Sequence, residues 1–333
     1  MSVVYKKLED VCEILDSRRV PITAKDRKAG TYPYYGANGL QDYVADYIFD
    51  DELVLLAEDG GNFGSKERPI AYRVSGKCWV NNHAHVLKAK PNMHVDYLCY
   101  ALMFYDTEGL VNGATRQKLT QAAMRQMVIP YRDMTEQLQI IKKISQIVRS
   151  IEKRKEELQL LDQLVKSRFI ELFGDPIKNT QHRPTTAFVN VVTMQRGFDL
   201  PVQDREQSGN IPVYGSNGVL DHHNQAKVCN GGVITGRSGT IGKVFYTKGA
   251  YWPLNTTLFS VDTHENNIIY LAHLLRMFNL ARFTEGTGVP TLNRNKFHSA
   301  PIIDVPLDEQ NQFAAFVEQT DKSKLCGTME VAA

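Results

Sequence analysis

Between residues 135 and 173, apolar side chains recur at steps of three and four positions. The members of this heptad stripe are Ile140, Ile144, Ile147, Ile151, Leu158, Leu161, Val165, Phe169 and Leu172. Arg154 takes the remaining position, charged residues fill the other faces, and no proline or glycine interrupts before Gly174. The pattern predicts one helix of about 58 Å, whose apolar stripe needs a partner helix. Its length favours a spacer between two modules over a helix packed along a single domain.

On both sides of this helix, short apolar runs alternate with glycine-rich turns. Buried strands are predicted at 52–56, 84–87, 232–234 and 257–259, and short helices at 95–105 and 268–278. Strands and helices are mixed on each side, so the predicted fold class is α+β.

The two flanking regions repeat one another. Residues 32–40, Tyr-Pro-Tyr-Tyr-Gly-Ala-Asn-Gly-Leu, return at 211–219 as Ile-Pro-Val-Tyr-Gly-Ser-Asn-Gly-Val, an offset of 179 positions. Further landmarks return in the same order at offsets of 178 and then 173, among them Gly61, Gly64, Trp79, Asn82, Leu119 and the pair Glu136-Gln137 as Gly239, Gly242, Trp252, Asn255, Leu292 and the pair Glu309-Gln310. Because this period far exceeds that of solenoid repeats, the chain is predicted to hold two homologous domains in tandem.

The bulk composition sets limits on this interpretation. A length of 333 residues suits about two domains. The net charge is only +2, so nucleic-acid binding would require basic residues gathered on one face. The five cysteines show no CxxC spacing, and no long apolar run suggests a leader or a membrane span. The composition therefore indicates a cytoplasmic protein without a membrane partner.

Motifs of catalysis are absent or incomplete. There is no Pro-Pro turn of the kind that amino-methyltransferases use to hold a flipped base. Residues 236–243 resemble a phosphate-binding loop, but their glycine spacing is one residue too long and Val244 replaces the Mg²⁺-binding hydroxyl residue. His83 and His85, with Cys78 and His94, suggest zinc only weakly, because the second copy does not repeat them. The acidic pairs at 51–52 and 58–59 are best explained as charged turns, so no catalytic or metal residue is predicted.

Basic and amide side chains in the loops form the more promising set. Arginine suits guanine, asparagine and glutamine suit adenine, and lysine suits phosphate. The predicted DNA-binding residues are Asn38, Lys66, Arg68, Arg116, Gln117 and Lys118 in the first copy, and Asn217, Arg237, Ser238, Lys243, Asn293, Arg294 and Lys296 in the second. Each alone could be merely solvated, but their recurrence in both copies favours one nucleic-acid face per domain.

Several repeated segments together carry a family resemblance. They are the Tyr-Gly-x-Asn-Gly turn, Gly-Arg-x-Gly-x-Ile-Gly-Lys-Val at 236–244, Trp-Pro-Leu-Asn-Thr-Thr at 252–257, Leu-Asn-Arg-Asn at 292–295 and the Glu-Gln helix starts. Their order around a long central helix closely resembles the specificity subunit of type I restriction-modification systems, over nearly the whole chain.

The resemblance implies a non-catalytic reader of double-stranded DNA, with two target recognition domains that each bind one half of a split, asymmetric site. In that family two modification subunits dock on the helices and methylate adenine with S-adenosylmethionine, and restriction subunits add ATP-dependent translocation and cleavage. S-adenosylmethionine, ATP and Mg are thus expected on partner subunits and no cofactor in this chain. The predicted division is a first recognition domain (1–133), a central spacer helix (134–173), a second recognition domain (174–306), a short distal helix (307–325) and a disordered tail (326–333).

The distal helix departs from the family pattern. Family members pair the central helix with a distal helix of similar length, whereas here the heptad stops near Lys324. The central helix is therefore expected to expose Leu158, Leu161, Val165 and Phe169, and to recruit either modification subunits or a second copy of the chain. Ile144, Ile147 and Ile151 belong to the same predicted partner surface. Two alternatives stay open: a truncated or silent specificity allele, and a self-sufficient DNA methyltransferase.

Overall fold

The computed structural model describes residues 3–113, 116–206, 208–286 and 290–332, and of residues 326–332 the backbone alone. The chain forms two compact units, Met1–Ser150 and Ile151–Ala333, each with its own buried core. The boundary between them falls inside the longest helix.

The first unit is built mainly on one six-stranded sheet. The strands of the whole unit, which include four outside this sheet, are β1 (Val4–Lys7), β2 (Cys12–Ile14), β3 (Ala29–Gly36), β4 (Gly39–Val44), β5 (Phe49–Ala57), β6 (Ala71–Val80), β7 (Ala84–Ala89), β8 (Val111–Asn112), β9 (Lys118–Leu119) and β10 (Val128–Tyr131). Its helices are α1 (Leu8–Val11), α2 (Val95–Met103), α3 (Gln121–Gln126) and the start of α4 (Met134–Phe173). The large sheet has the order β2-β7-β5-β6-β3-β4, while β1 pairs with β10 and β8 with β9.

Strand β5 forms the centre of this unit. Residues 53–57 are fully buried, because side chains that alternate along a central strand meet a covered face on both sides. Val54 and Leu56 join the core under α2 and α3, whereas Leu53 and Leu55 pack on the opposite face. The buried strands predicted at 52–56 and 84–87 are confirmed.

The second unit repeats this plan in a broken form. Its strands are β11 (Thr185–Ala187), β12 (Thr193–Arg196), β13 (Ile211–Gly215), β14 (Gly218–His223), β15 (Gly232–Gly236), β16 (Val244–Thr247), β17 (Trp252–Pro253), β18 (Thr257–Asp262), β19 (Thr284–Glu285), β20 (Thr291–Leu292) and β21 (Pro301–Ile303). Its helices are the end of α4, α5 (Phe188–Val191), α6 (Ile268–Phe278), α7 (Arg294–His298) and α8 (Leu307–Ala332). Sheet β12-β18-β15-β16 copies β2-β7-β5-β6, and hairpin β13-β14 copies β3-β4.

The repeated turn is a β-hairpin in both units. Gly39 and Gly218 follow the asparagine of the turn with φ of 106° and 111°, a region that glycine adopts without strain. The first strand of each hairpin also runs parallel to a tryptophan strand, with Tyr34 opposite Trp79 and Val213 opposite Trp252. In the first unit Trp79 lies near the end of β6, and β6 pairs with both β5 and β3, so that all six strands belong to a single sheet. In the second unit it is divided into β16 and β17, which leaves two sheets.

The repeated Glu-Gln pair has a structural role. Gln137 is fully buried near the start of α4, and its side-chain carbonyl accepts a hydrogen bond of 2.8 Å from the backbone N–H of His94, which caps α2. Gln310 does the same for Asn267, the cap of α6, at 2.9 Å. Each glutamine amide also donates to a backbone carbonyl group. Replacement of such a buried amide is costly, because it leaves buried polar groups unpaired. The motif therefore fastens each long helix to its own unit.

Helix α4 runs over Met134–Phe173, as the heptad stripe predicts. In the first unit Ile140 packs on the core, and a hydrogen bond of 3.2 Å links the hydroxyl groups of Ser145 and Tyr100. Ile147 and Ile151 are exposed. Whether residues 1–133 and 174–306 act as separate domains stays a prediction.

The distal helix is longer than predicted. Helix α8 continues to Ala332, through most of the segment expected to be a disordered tail after residue 325, and Ala333 lies outside the described residues. The absence of a heptad at 326–332 does not break a helix, since no proline occurs there and a single glycine, Gly327, costs only about 1 kcal/mol.

The expectation of an uncovered stripe is wrong for the second half of α4. Val165 and Phe169 are buried, and Leu158 and Leu161 are half-buried. The following contacts show that α8 covers them: Phe313 meets Phe169 and Phe173 with ring centroids 5.4 and 5.7 Å apart, Lys324 binds Asp162 at 2.8 Å, and Arg154 donates to the Ser323 carbonyl at 3.4 Å. Exposure of this stripe therefore no longer supports the homodimer that the sequence suggested.

Candidate nucleic-acid interface

One backbone frame occurs in both units, at the end of the central strand. In the first unit the N–H of Glu58 donates to His83 at 2.9 Å, and the Glu58 carbonyl accepts from the N–H of Leu119 at 2.7 Å. A bridge between Asp59 and Lys118 completes it.

The second unit repeats these bonds at the corresponding positions. The N–H of Arg237 donates to Thr256 at 2.8 Å, and its carbonyl accepts from Leu292 at 2.8 Å. A bridge joins Ser238 to Thr291. Glu58 and Arg237 thus hold the same place in two copies of one loop frame, with side chains of opposite charge.

In the first unit the side chains behind this frame bind one another. His85 is fully buried and lies 2.6 Å from Asp16 through Nδ1 and 2.9 Å from the Leu119 carbonyl through Nε2. Arg19 binds Glu58 at 2.6 Å, and Gln121 donates to Asp16 at 2.9 Å. Both ring nitrogens of His85 thus face oxygen atoms of the protein.

The carboxyl group of Asp16 is held in its charged form. Burial acts to raise its pKa, but the hydrogen bond and positive charge of His85, the amide of Gln121 and the N–H of Val86 lower that pKa below the usual 3.8. Asp16, Glu58 and His85 place possible metal-ligand atoms within 4.8 Å of one another. Each already has a hydrogen-bonded partner, so a cation would first have to displace Arg19. The charged residue Glu58, which the sequence suggested as part of a charged turn, is therefore a member of a largely buried ion cluster, with its side chain 13% exposed.

Three of the six DNA-binding residues predicted in the first copy are paired within the protein at the surface of this frame. Arg116 binds Asp59 at 2.8 Å, Lys118 binds Glu58 at 3.1 Å, and Asn38 donates to the Gly60 carbonyl at 3.0 Å. Three further predicted residues have exposed side chains, Gln117 beside this frame and Lys66 and Arg68 on the separate turn between β5 and β6.

The second unit has an open cleft at the corresponding place. It has a volume of about 370 Å³, and its lining includes Arg196, Arg237, Glu285, Asn293 and Arg294. The Asn293 side chain caps α7 by accepting from the N–H of Asn295 at 3.1 Å, and its amide donates to Glu285 at 3.1 Å. Lys296 also forms an ion pair with Glu285.

The remaining predicted residues lie on neighbouring loops. Lys243 donates to Asn217 at 2.6 Å, so the turn at 236–244 contacts the repeated hairpin. Gly239 and Gly242 have φ of 79° and 91°, which explains their place in the motif without a bound nucleotide.

The structure thus brings together Arg237, Asn293 and Arg294 in the cleft of the second unit. Sequence reasoning missed Arg196 and Asp16. The only available signal was that Arg196 follows Asp16 by 180 positions, close to the offset of the repeated turn. Since the two residues differ in charge, a search for shared residues does not find them.

Comparison with known proteins decides the family. The family model described as type I restriction modification DNA specificity domain matches residues 2–161 and 190–326 of the chain. The chain belongs to this family. The resemblance seen in the sequence is confirmed. The prediction that the chain is a DNA-specificity subunit rather than a catalytic subunit is confirmed as well.

Two relatives match the specificity-domain protein along most of its length. A type I restriction enzyme specificity subunit of Haemophilus influenzae is 26% identical over 348 aligned residues, covering 95% of this chain and 87% of the relative. A type I specificity subunit of Mycoplasma pneumoniae is 20% identical, covering 96% and 89%.

Solved structures share the fold. The S subunit of a type I restriction-modification system from M. genitalium superposes with a TM-score of 0.65 at 13% identity, over 100% of this chain and 92% of that one. A chain from a study of complex assembly and conformational transition of the type I system gives 0.57 at 13% identity, over 99% and 94%. The α+β fold with two repeated domains and a long helix is confirmed. Among the described residues, no helix combines the length and apolar character needed to cross a membrane.

Proposed function

We propose that this specificity-domain protein reads a bipartite, asymmetric DNA site, one half with each unit, and directs adenine methylation and restriction by partner subunits. One observation carries the proposal: two copies of one backbone frame present different side chains, with Glu58 and Asp59 in the first unit where the second has Arg237 and Ser238. A shared frame whose side chains differ in charge suits two different half-sites, because the two units then contact DNA in different ways.

The partners follow from the family. We propose that two modification subunits dock on the helices and that restriction subunits complete the assembly. Apolar side chains that are exposed on α4, namely Ile147, Ile151, Leu160 and Leu164, are available for such contacts. Because the ligand is cellular DNA, the assembly acts in the cytoplasm. Neither alternative function gains support: α8, whose predicted early end suggested a truncated allele, extends to Ala332, and family membership favours the specificity subunit over a self-sufficient methyltransferase.

Exchange of one unit tests the bipartite proposal. Residues 1–133 are replaced by the corresponding segment of the Haemophilus influenzae relative, and the methylated sites are sequenced in cells that also express the modification subunit. We expect one half of the recognised site to change and the other to persist, because each frame contacts its own half. The reciprocal exchange of residues 174–306 is the matched control. A simultaneous change of both halves in either chimaera contradicts the proposal.

A further inference from the structure

The ion cluster of the first unit and the open cleft of the second occupy corresponding positions. The loop frame already equates Glu58 with Arg237. Strand pairing equates Asp16 with Arg196: Asp16 follows β2 opposite His85, and Arg196 ends β12 opposite Leu258.

The third equivalence lies at the start of a helix. Gln121 opens α3 two residues after Leu119, and Arg294 opens α7 two residues after Leu292. An aspartate, a glutamate and a glutamine in one unit are thus replaced by three arginines in the other.

In the first unit this position cannot accept an external anion. Asp16 and Glu58 already carry negative charge, and His85, Arg19 and Lys118 neutralise it at distances between 2.6 and 3.1 Å. The cluster is closed, because its donors and acceptors satisfy one another.

In the second unit the donors remain available. Arg196 gives one N–H to the Asn255 carbonyl at 3.4 Å, and Arg294 gives one to the Met194 carbonyl at 3.5 Å. Among the residues that the structure describes, the guanidinium of Arg237 makes no hydrogen bond. Since each guanidinium has five N–H donors, most donors of these three arginines have no acceptor among the described residues.

The one acidic residue of the cleft does not neutralise the arginines. Glu285 is bound by Lys296 and by the amide of Asn293, and the hydrogen bond from Lys296 is the main cause that lowers its pKa. Its charge is balanced by a lysine outside the three arginines. Among the described residues, Arg196, Arg237 and Arg294 therefore form no ion pair that would balance their charge.

We infer that Arg196, Arg237 and Arg294 clamp one phosphate group of the DNA backbone, and that the first unit has no equivalent clamp. The inference rests on the proposed function. It also changes the role expected for Arg237 and Arg294, which the sequence suggested as readers of guanine. A guanine edge offers two acceptors to a single arginine, whereas a phosphate accepts several charge-assisted hydrogen bonds at once. Three guanidinium groups in one cleft match the phosphate.

The salt dependence of DNA binding tests the clamp. Binding of the full chain is measured over a range of salt concentrations, with a duplex that carries the site and with a duplex of unrelated sequence. We expect Arg237→Gln to weaken both to a similar extent and to reduce the slope of log K against log salt by part of the value of about 0.9 for one complete phosphate contact, because Arg196 and Arg294 still bind the phosphate. Arg168→Ala, which removes an arginine of the same unit outside the cleft, is the matched control and leaves the slope unchanged.

Neutral linkages in the DNA give a second measurement that does not alter the protein. Single methylphosphonates are placed in turn along the second half-site. At one position the substitution should weaken binding of the wild-type chain by a larger factor than binding of Arg237→Gln, which has already lost one of the three contacts to that phosphate. A loss of preference for one base with an unchanged salt slope overturns the clamp in favour of guanine reading, and additive losses at every position also overturn it.

The two proposals fail in different ways. If the recognised site is not bipartite but the slope still falls for both duplexes, the clamp stands and the proposed function fails. If the site is bipartite and Arg237→Gln binds as the wild type does, the clamp fails alone.

Discussion

At the scale of single residues, the pair Asp16 and His85 shows how a buried charge is retained. The Asp16 side chain is 4% exposed and accepts bonds from three partners. Asp16→Asn should destabilise the first unit by about 3 to 5 kcal/mol, because removal of one partner leaves the other charge buried and unpaired. Denaturant unfolding measures the change. Asp10→Asn, at an exposed position, should change stability by about 0.5 kcal/mol or less.

The stability difference between the wild type and Asp16→Asn should change with pH in one direction. The folded-state pKa of Asp16 is lowered, so its contribution is present above the ordinary value of 3.8 and is lost as pH falls through the folded value. The gap between the wild type and Asp16→Asn should therefore narrow only in acid. A gap that widened there would contradict the ion cluster.

His273, a base where Asp16 is an acid, gives a second prediction at the scale of single residues. Burial, followed by the positive charges of Arg276 and Lys324, lowers its pKa to about 3, and Nε2 accepts a hydrogen bond from Arg276 at 3.2 Å. The unfolded chain binds a proton below about pH 6.5 and the folded chain does not, so stability falls as pH drops below that value. The loss should be about 1 to 2 kcal/mol at about pH 5, allowing for partial exposure. His273→Gln, which keeps an acceptor, should remove this loss, whereas His222→Gln at an exposed position of β14 should not.

At the scale of elements, the pairing of α4 with α8 decides the stability of the second unit. Phe169 is fully buried against Phe173, Tyr270 and Phe313. Phe169→Ala should cost about 3 to 5 kcal/mol through lost burial and the cavity left behind. Leu164→Ala on the exposed side of the same helix is the control, with an expected change of about 0.5 kcal/mol or less. Calorimetry of both variants checks the difference, and equal losses would mean that α8 does not cover this stripe.

At the scale of the whole molecule, two cores predict two unfolding events. Each unit buries its own set of apolar side chains. Asp16→Asn should lower the midpoint of one transition and Phe169→Ala that of the other, as followed by hydrogen exchange of β5 and β15. A single transition that both variants shift equally would show that the units unfold as one.

The sequence by itself determined the repeat, the α+β class, the helix from 134 to 173 and the family, because these depend on local periodicity and on residue types at fixed spacing. It located Arg237, Asn293 and Arg294 through the repeated motifs. The role of the Glu-Gln pair could not be read, because Gln137 and Gln310 bind residues 43 positions away along the chain.

Only the tertiary structure decided what surrounds each side chain. It showed that α8 covers Val165 and Phe169 although its own heptad ends early, because three-dimensional packing needs only a few aromatic contacts at the right depth. It also placed Asp16 beside His85 and Arg196 beside Arg237, residues that approach one another through strand pairing. The charge of a site depends on such long-range neighbours, and local sequence pattern does not carry that information.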